Sequence, residues 1–277
     1  MSLDKVMPQL RIVTLNVHFF TDINEQSNVH QLVRLLKPMS IDILALQEVL
    51  HTNRDAHVAP ERHYHLKLLS DLLELPYIAF CETVFEFGNA LLSKFPLKNS
   101  MNYYADVDKN LYKRGMLAVQ IEHEFFRENN ATFYVTHLDQ IYEQARLQQI
   151  QLFEKFIDQN DSLQLVMGDM NSLTFSDYSN DYFHSYIDDI RQKNNWERPY
   201  ELVTQQMKVN GYTDCWREMN SEAIDDQVVT CIYRTRIDYI WKRGELKNQW
   251  KINECRIFSS ANATDHNGVL ICFLKDR

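Results

Sequence analysis

Glycine and proline are both scarce, with six of each in 277 residues. No stretch rich in Gly, Ser or Pro marks a flexible linker, and no internal repeat or low-complexity segment is present. One domain spanning residues 1–277 is the expectation, since layered sheet folds of roughly 200–250 residues commonly form one unit. The five cysteines (Cys81, Cys215, Cys231, Cys255, Cys272) are odd in number, scattered, and never spaced CxxC. That excludes a disulfide framework and points to reduced thiols. The N-terminal MSLDKVMPQLRIV has no apolar core of a signal peptide. No apolar run approaches the roughly 20 residues that span a bilayer. These features predict an intracellular, cytoplasmic protein with no transmembrane segment, and no segment signals an obligate protein partner. Positive charge is in short supply as well: the net charge is −9. A nonspecific nucleic-acid binder usually carries a basic surface, although a bound cation can supply positive charge locally to an enzyme. HExxH, GxSxG and GxGxxG are all missing, which leaves peptidase and oxidoreductase readings without support.

What the chain does have is a set of short apolar runs that end on polar residues. RIVTLN ends at Asn16, IDILALQE at Glu48, ATFYVTHLD carries His137, LQLVMGDMN carries Asp169 and Asn171, and RIDYIW carries Asp238. ATDHNGVL adds Asp265 and His266. Runs of this length read as buried strands, and polar groups at their ends can converge at the rim of a sheet. Two imidazoles, four carboxylates and two carboxamides there suit a hard cation and a phosphate.

The elements mix strand–helix units with consecutive strands. Strands are predicted at Gln9–Asn16, Ile41–Leu46, Asn89–Leu92, Asn99–Tyr104, Met116–Ile121, Ala131–His137, Leu163–Gly168, Arg236–Trp241, Ile252–Phe258 and Val269–Phe273. Helices are predicted around Val29–Leu36, stopped by Pro38, then at Glu61–Glu74 and Glu143–Ile157. His51–Pro60 reads as a loop. Ser172–Asn210 is polar and aromatic, with helical pieces at Asp181–Arg191 and Pro199–Val209. Two packed sheets with helices outside fit this order better than one doubly wound sheet.

Each candidate residue has a plain structural alternative. A strand-terminal Asn16 is also a turn former or cap. Glu48 ends a run too apolar for a surface strand, so its carboxylate needs a partner or a cation unless the strand end is solvated. Asp169 and Asn171 are two apart and face one side if extended; an Asp-rich turn is the alternative. His137 alone reads as a hydrogen-bonded structural histidine. Asp238 between Ile237 and Tyr239 needs a partner, and His266 offers one: a carboxylate orienting a histidine serves acid–base catalysis. The joint occurrence outweighs the single alternatives. Tyr178, Tyr182, Phe183, Tyr186, Trp196 and Tyr200 can stack on bases, but packing two small helices on the core is favoured. Asp188 and Asp189 would repel a polyanion. Arg234, Arg236, Lys242, Arg243 and Lys247 form a phosphate-facing patch or, as favoured for a charge run, a solvated face.

The order N, QE, THLD, GDMN, RIDYI, TDH resembles the endonuclease/exonuclease/phosphatase superfamily, from Arg11 to Phe273. GNALLSKFPL (Gly88–Leu97) and KRGMLAVQI (Lys113–Ile121) look like its central hairpins, and NSLTFSDYSNDYF, NGYTDCWRE and TCIYRTRIDYIW look like a deoxyribonuclease-like subgroup. Thr264 stands where many relatives have Ser and Met170 where many have Phe; neither change removes a functional group. The resemblance implies an α+β fold, a four-layer α/β/β/α sandwich of two mostly antiparallel sheets with outer helices. It implies Mg²⁺, with Mn²⁺ able to substitute, held by Glu48 with Asn16 and Asp265 nearby, a sparse ligand set that suits Mg²⁺. Asp169 would orient the attacking water, Asn171 and His137 would contact phosphoryl oxygens, Asp238 would orient His266 as base or transition-state stabiliser, and Arg114 would reach phosphate. The expected activity is hydrolysis of a phosphodiester or phosphomonoester by in-line water attack, on a nucleic acid or a small metabolite or lipid headgroup. HLDQIYEQARLQQI has a loose likeness to tyrosyl-DNA phosphodiesterases. The alternative is a silent hydrolase fold acting as a binding module.

Overall fold

A computed structural model describes residues 7–51, 64–83, 87–106, 113–157 and 162–276. Twelve strands among them form two six-stranded sheets. The first runs β11 (Trp250–Phe258), β12 (Gly268–Lys275), β1 (Gln9–Asn16), β2 (Ile43–Leu50), β4 (Phe87–Ser93), β3 (Tyr77–Glu82). The second runs β5 (Leu97–Ala105), β6 (Arg114–Ile121), β7 (Ala131–His137), β8 (Leu163–Asp169), β10 (Asp238–Arg243), β9 (Thr213–Asp214). Each sheet has one parallel pair, β1–β2 and β7–β8; its other pairings are antiparallel.

Alternation along the central strands builds the layers. In β1, Leu10 and Ile12 face the inter-sheet core, where they meet Phe133, Val135, Leu165 and Met167 of the other sheet. Val13 and Leu15 face away, toward Leu32 and Leu36 of α1 (Val29–Leu36) and Leu66 and Leu69 of α2 (His65–Leu73). On the second sheet Tyr134, Val166 and Trp241 pack under α4 (Glu143–Phe153) and α7 (Leu202–Val209) through Ile150, Phe153, Val203 and Met207. Two apolar faces per strand explain why β1, β2 and β8 read as continuous apolar runs. Burying each such side chain contributes roughly 1.5–3 kcal/mol.

The structure differs from the sequence reading mainly at element ends. β2 runs through Glu48 to Leu50, past the predicted end at Leu46. β10 starts at Asp238, two residues later than predicted. β3, α3 (Glu124–Asn129) and α8 (Cys215–Met219) are additional elements. α4 ends at Phe153, short of Ile157. The helical stretch predicted from Asp181 is α5 (Asn180–Tyr182), a π-turn (Phe183–Asp188) and α6 (Asp189–Lys193). Of the predicted 51–60 loop only His51 lies within the described residues, as does α2 only from Tyr64 onward. No helix among the described residues is long and apolar enough to cross a membrane.

Candidate active site

The polar run-ends meet where the inter-sheet core opens to solvent. Asn16 continues the Ile12 face of β1, His137 the Val135 face of β7, and Asp169 the Met167 face of β8, all three pointing between the sheets. Asp238 lies on the face of β10 that carries Ile240. His137 and Asp238 pair with Asp169 from the two neighbouring strands, so sheet register places all three side by side.

Glu48 reaches this group by a different route. Simple alternation from Leu44 and Leu46 would send it toward the helices. Instead the β2–β4 register slips between Leu46 and Val49, and Glu48 adopts φ 54°. A bulge of this kind re-aims a side chain, here into the site. Gly168 has φ 135°, and a Cβ there would stand 1.9 Å from the Thr136 carbonyl oxygen. Only glycine suits that close approach of the paired strands β7 and β8. Asn171, at φ 50°, then folds back so that its backbone N–H donates to Asp169 Oδ1 at 2.9 Å.

One amide ties the carboxylates together. Asn16 Nδ2 donates to Glu48 Oε1 at 3.0 Å and to Asp169 Oδ2 at 3.1 Å. Its Oδ1 accepts from the His18 backbone N–H at 3.0 Å. In this orientation Asn16 bridges the acids; serving as a cation ligand would require the amide to turn over. Thr264 Oγ1 donates to the Asn16 carbonyl at 2.9 Å, which anchors the Asp265 loop to β1.

The two histidines differ in electrostatic state. His266 Nδ1 is 2.9 Å from Asp238 Oδ2, and His266 Nε2 is 3.8 Å from Asp169 Oδ2. Burial works against the His266 imidazolium, but Asp238 by charge and hydrogen bond, and then Asp169 by charge, outweigh it and hold its pKa well above the ordinary value. His137 is pushed well below that value by burial, aided by Arg114 and His266. Asn171 Nδ2 lies 3.0 Å from His137 Nε2, which fits a neutral ring accepting there. Burial and the neighbouring Asp238 push Asp169 up to about 7. Burial also raises Glu48, against the hydrogen bond from Asn16.

These groups fit a hard divalent cation. Oxygen and nitrogen atoms of Glu48, His137 and Asp169 lie within 4.8 Å of one another, as do those of Asp169, Asp238 and His266. Carboxylates raised by burial and by each other are the condition a bound cation relieves. Asp265 lies on the open side, its Oδ1 3.7 Å from His18 Nδ1. Arg114 lines a cavity with Glu48, His137 and Asp265, and its Nη2 donates to Gln140 Oε1. Of the nine predicted site residues, Glu48, Arg114, His137, Asp169, Asn171, Asp265 and His266 line the opening, and Asn16 and Asp238 are buried behind them, in contact with Asp169 and His266.

The surrounding sequence features resolve unevenly. Tyr178 and Tyr182 are buried, as the packing reading expected, whereas Tyr186, Trp196 and Tyr200 stay exposed. The basic run is a solvated face only in part: Lys247 is exposed and Arg234 partly so. Arg236 is fully buried and paired with Asp177 at 2.6 Å and Asp214 at 2.6 Å; Lys242, Arg243 and Arg234 pair with Glu218, Glu154 and Asp226. Sequence reasoning missed His18, Phe19, Gln140 and Tyr233, which line the opening. No apolar-run signal marks them.

Comparison with known proteins gives the family and the fold. The sequence profile of the Endonuclease/Exonuclease/phosphatase family matches residues 13–266. A search of curated proteins finds no match. Among solved structures, an endonuclease/exonuclease/phosphatase from Beutenbergia cavernae DSM 12333 superposes with TM-score 0.70 at 14% identity, covering 96% of this chain and 72% of that one. The human Nocturnin catalytic domain with bound sulfate gives 0.66 at 18%, covering 96% and 93%. D. rerio TDP2 complexed with a single-strand DNA product gives 0.65 at 15%, covering 96% and 98%. At these identities the structural likeness speaks to fold alone.

Proposed function

This chain belongs to the endonuclease/exonuclease/phosphatase family, and we propose that it is a divalent-cation-dependent phosphoesterase that hydrolyses a phosphodiester or phosphomonoester by in-line attack of water. The observation that carries the reading is the convergence of Glu48, Asp169 and His266 on one opening, with His266 clamped from behind by buried Asp238. Glu48 would hold the cation with Asp265 and, through a turned amide, Asn16; the cation would supply charge stabilisation for the phosphoryl and leaving oxygens. Mg²⁺ suits this oxygen-rich set, and Mn²⁺ would substitute.

The protein's own groups then divide the remaining work. Asp169 orients the attacking water and accepts its proton as the new P–O bond forms. Asn171 and neutral His137 bind phosphoryl oxygens, joined by Arg114 from the open side. His266, kept protonated by Asp238, stabilises the charge that develops and can return a proton to the leaving oxygen as the old P–O bond breaks. The products are a phosphate ester or inorganic phosphate and an alcohol. The single-strand DNA product found with D. rerio TDP2 supports keeping nucleic acid among the substrates, beside small metabolites and lipid headgroups. The five cysteines are unpaired and buried, which supports a reducing compartment, the cytoplasm in our reading.

The test is Mg²⁺-dependent turnover by wild type beside Asp169→Ala, on DNA, RNA, a 5′-tyrosyl oligonucleotide, sphingomyelin, inositol phosphates and bis(p-nitrophenyl) phosphate. Turnover lost in the variant supports the reading. Equal turnover in both, or none by wild type on any ester together with no cation binding, refutes it and favours a binding module.

A further inference from the structure

Two cavities meet at the site and share Glu48, His137, Gln140 and Asp265. The first, about 330 Å³, runs to Phe19 and Phe87, whose rings lie 4.5 Å apart. The second, about 410 Å³, runs to Trp196 and Tyr233, which meet edge to face at 4.8 Å. Each is near the small end of the range for small-ligand pockets. The phosphate-binding groups thus sit at the middle of a trough with an aromatic pair at each end.

The aromatic ends are not leftovers of the core. Trp196 is 43% exposed and Tyr233 41% exposed, although large aromatics usually bury. Phe19 is held at φ 55° between His18 at 45° and Phe20 at 60°. Three successive non-glycine residues in the left-handed region are a strained arrangement. The turn buries Phe20 while leaving Phe19 on the cavity wall. Strain of this kind gathers at binding sites.

The trough carries little positive charge. Among the described lining residues the only cations besides histidine are Arg114 and Arg191. Arg191 Nη1 donates to the Glu197 carbonyl at 2.8 Å, and Arg114 to Gln140. Four carboxylates, Glu48, Asp169, Glu197 and Asp265, face them. Such a wall does not track a polyphosphate backbone. It takes one phosphate, with flat uncharged groups on both sides. An acyl chain would need a continuous apolar wall, whereas Thr83, Asn89, Gln140 and Asn195 interrupt this one.

We propose that the substrate is a short single-stranded phosphodiester carrying a nucleobase on each side of the scissile phosphate, one base stacked at Phe19–Phe87 and the other at Trp196–Tyr233. The proposal rests on the phosphoesterase reading and adds to it the substrate class and four specificity-determining rings. Base–aromatic stacking contributes about 1–3 kcal/mol per base, or roughly 5- to 150-fold in kcat/KM.

The experiment measures kcat/KM with Mg²⁺ for a thymidine dinucleotide and for two analogues in which a tetrahydrofuran replaces one or the other base. Wild type is run beside Phe87→Ala and Trp196→Ala, with bis(p-nitrophenyl) phosphate as a control diester. Each missing base should lower kcat/KM at least about fivefold. Each alanine should lower dinucleotide turnover similarly. For the matched pairs the two losses should fail to add by at least about fivefold, one variant coupling to each base. Raising salt from 50 to 200 mM should lower the rate about threefold or less, the response to a single phosphate contact. Base-free analogues turned over as fast as the dinucleotide, additive losses, or a preference for sphingomyelin would overturn the proposal while control turnover keeps the phosphoesterase reading. No Mg²⁺-dependent turnover of any diester, the control included, would instead strike at that reading.

Discussion

Asp238 Oδ2 stands 2.9 Å from His266 Nδ1, and this contact fixes which way the imidazole faces. Asp238 is anchored in turn, since Thr230 Oγ1 accepts its backbone N–H at 3.1 Å. With Nδ1 committed to Asp238, Nε2 is left facing Asp169 and the opening. Replacing Asp238 by Asn keeps the shape and removes the charge. We expect kcat/KM to fall on the order of 10³- to 10⁴-fold with the fold intact, as when a triad aspartate is amidated. Steady-state kinetics with circular dichroism checks this.

The backbone at Gly168 sets the position of Asp169. In Gly168→Ala the new Cβ meets the Thr136 carbonyl oxygen at 1.9 Å, so β7 and β8 must part. The expected cost is about 3 kcal/mol, with loss of activity. Gly211 also has positive φ, at 83°, but the nearest atom to its Cβ is Arg243 Cδ at 3.8 Å, an ordinary van der Waals contact. Gly211→Ala should cost only about 1 kcal/mol, from backbone strain. Urea unfolding of both variants separates the two cases.

Arg236 holds Asp177 and Asp214 beneath the site, and it also lies over the rings of Tyr239 and Trp216. Arg236→Met leaves buried Asp214 without its guanidinium and Asp177 with Arg217 alone. The expected loss is about 3–5 kcal/mol. Removing the exposed Lys67–Asp71 pair on α2 should cost under about 0.5 kcal/mol. Equal losses in the two experiments would contradict this account of the buried network.

His123 lies against Phe95, with ring centroids 4.3 Å apart. Burial lowers its pKa below the ordinary 6.5, against the pull of Asp42 and Glu124. The folded protein therefore binds this proton less readily than the unfolded chain does. The fold gives up nothing at this site above about pH 6.5 and loses stability as pH falls below it. His123 Nδ1 caps α3 through the Phe125 N–H, and Asn preserves a cap. His123→Asn should flatten the fall in Tm between pH 7 and pH 5; an unaltered slope would contradict the assignment.

Much of the site was legible in the sequence because of the sandwich itself. Central strands buried on both faces write continuous apolar runs, and a polar residue ending such a run stands out. That is how Asn16, His137, Asp169 and Asp238 could be picked, and register then brought them together. Glu48 was found for a less sound reason. It too ends a run, yet alternation would have turned it away, and only the bulge at φ 54° brings it in. β3 went unread because its outer positions are half exposed and its apolar residues include a cysteine. At six residues, α3 is too short to show a period. Arg236 looked like part of a surface charge run because its partners lie 59 and 22 positions away in the sequence, at Asp177 and Asp214. The rings at Trp196 and Tyr233 carry no pattern of their own and acquire meaning only from the cavity they share.

The central claim is that this cluster of acids uses a divalent cation to hydrolyse a phosphoester. Its most direct test is the initial rate of diester hydrolysis as Mg²⁺ is titrated into chelator-treated protein, with wild type beside Glu48→Gln and cation binding followed by calorimetry. The account predicts a saturable Mg²⁺-dependent rate in wild type, and in Glu48→Gln weaker cation binding with a rate lowered on the order of a hundredfold or more. Hydrolysis that persists without a cation, or a Glu48→Gln protein that binds Mg²⁺ and turns over as wild type does, would contradict it.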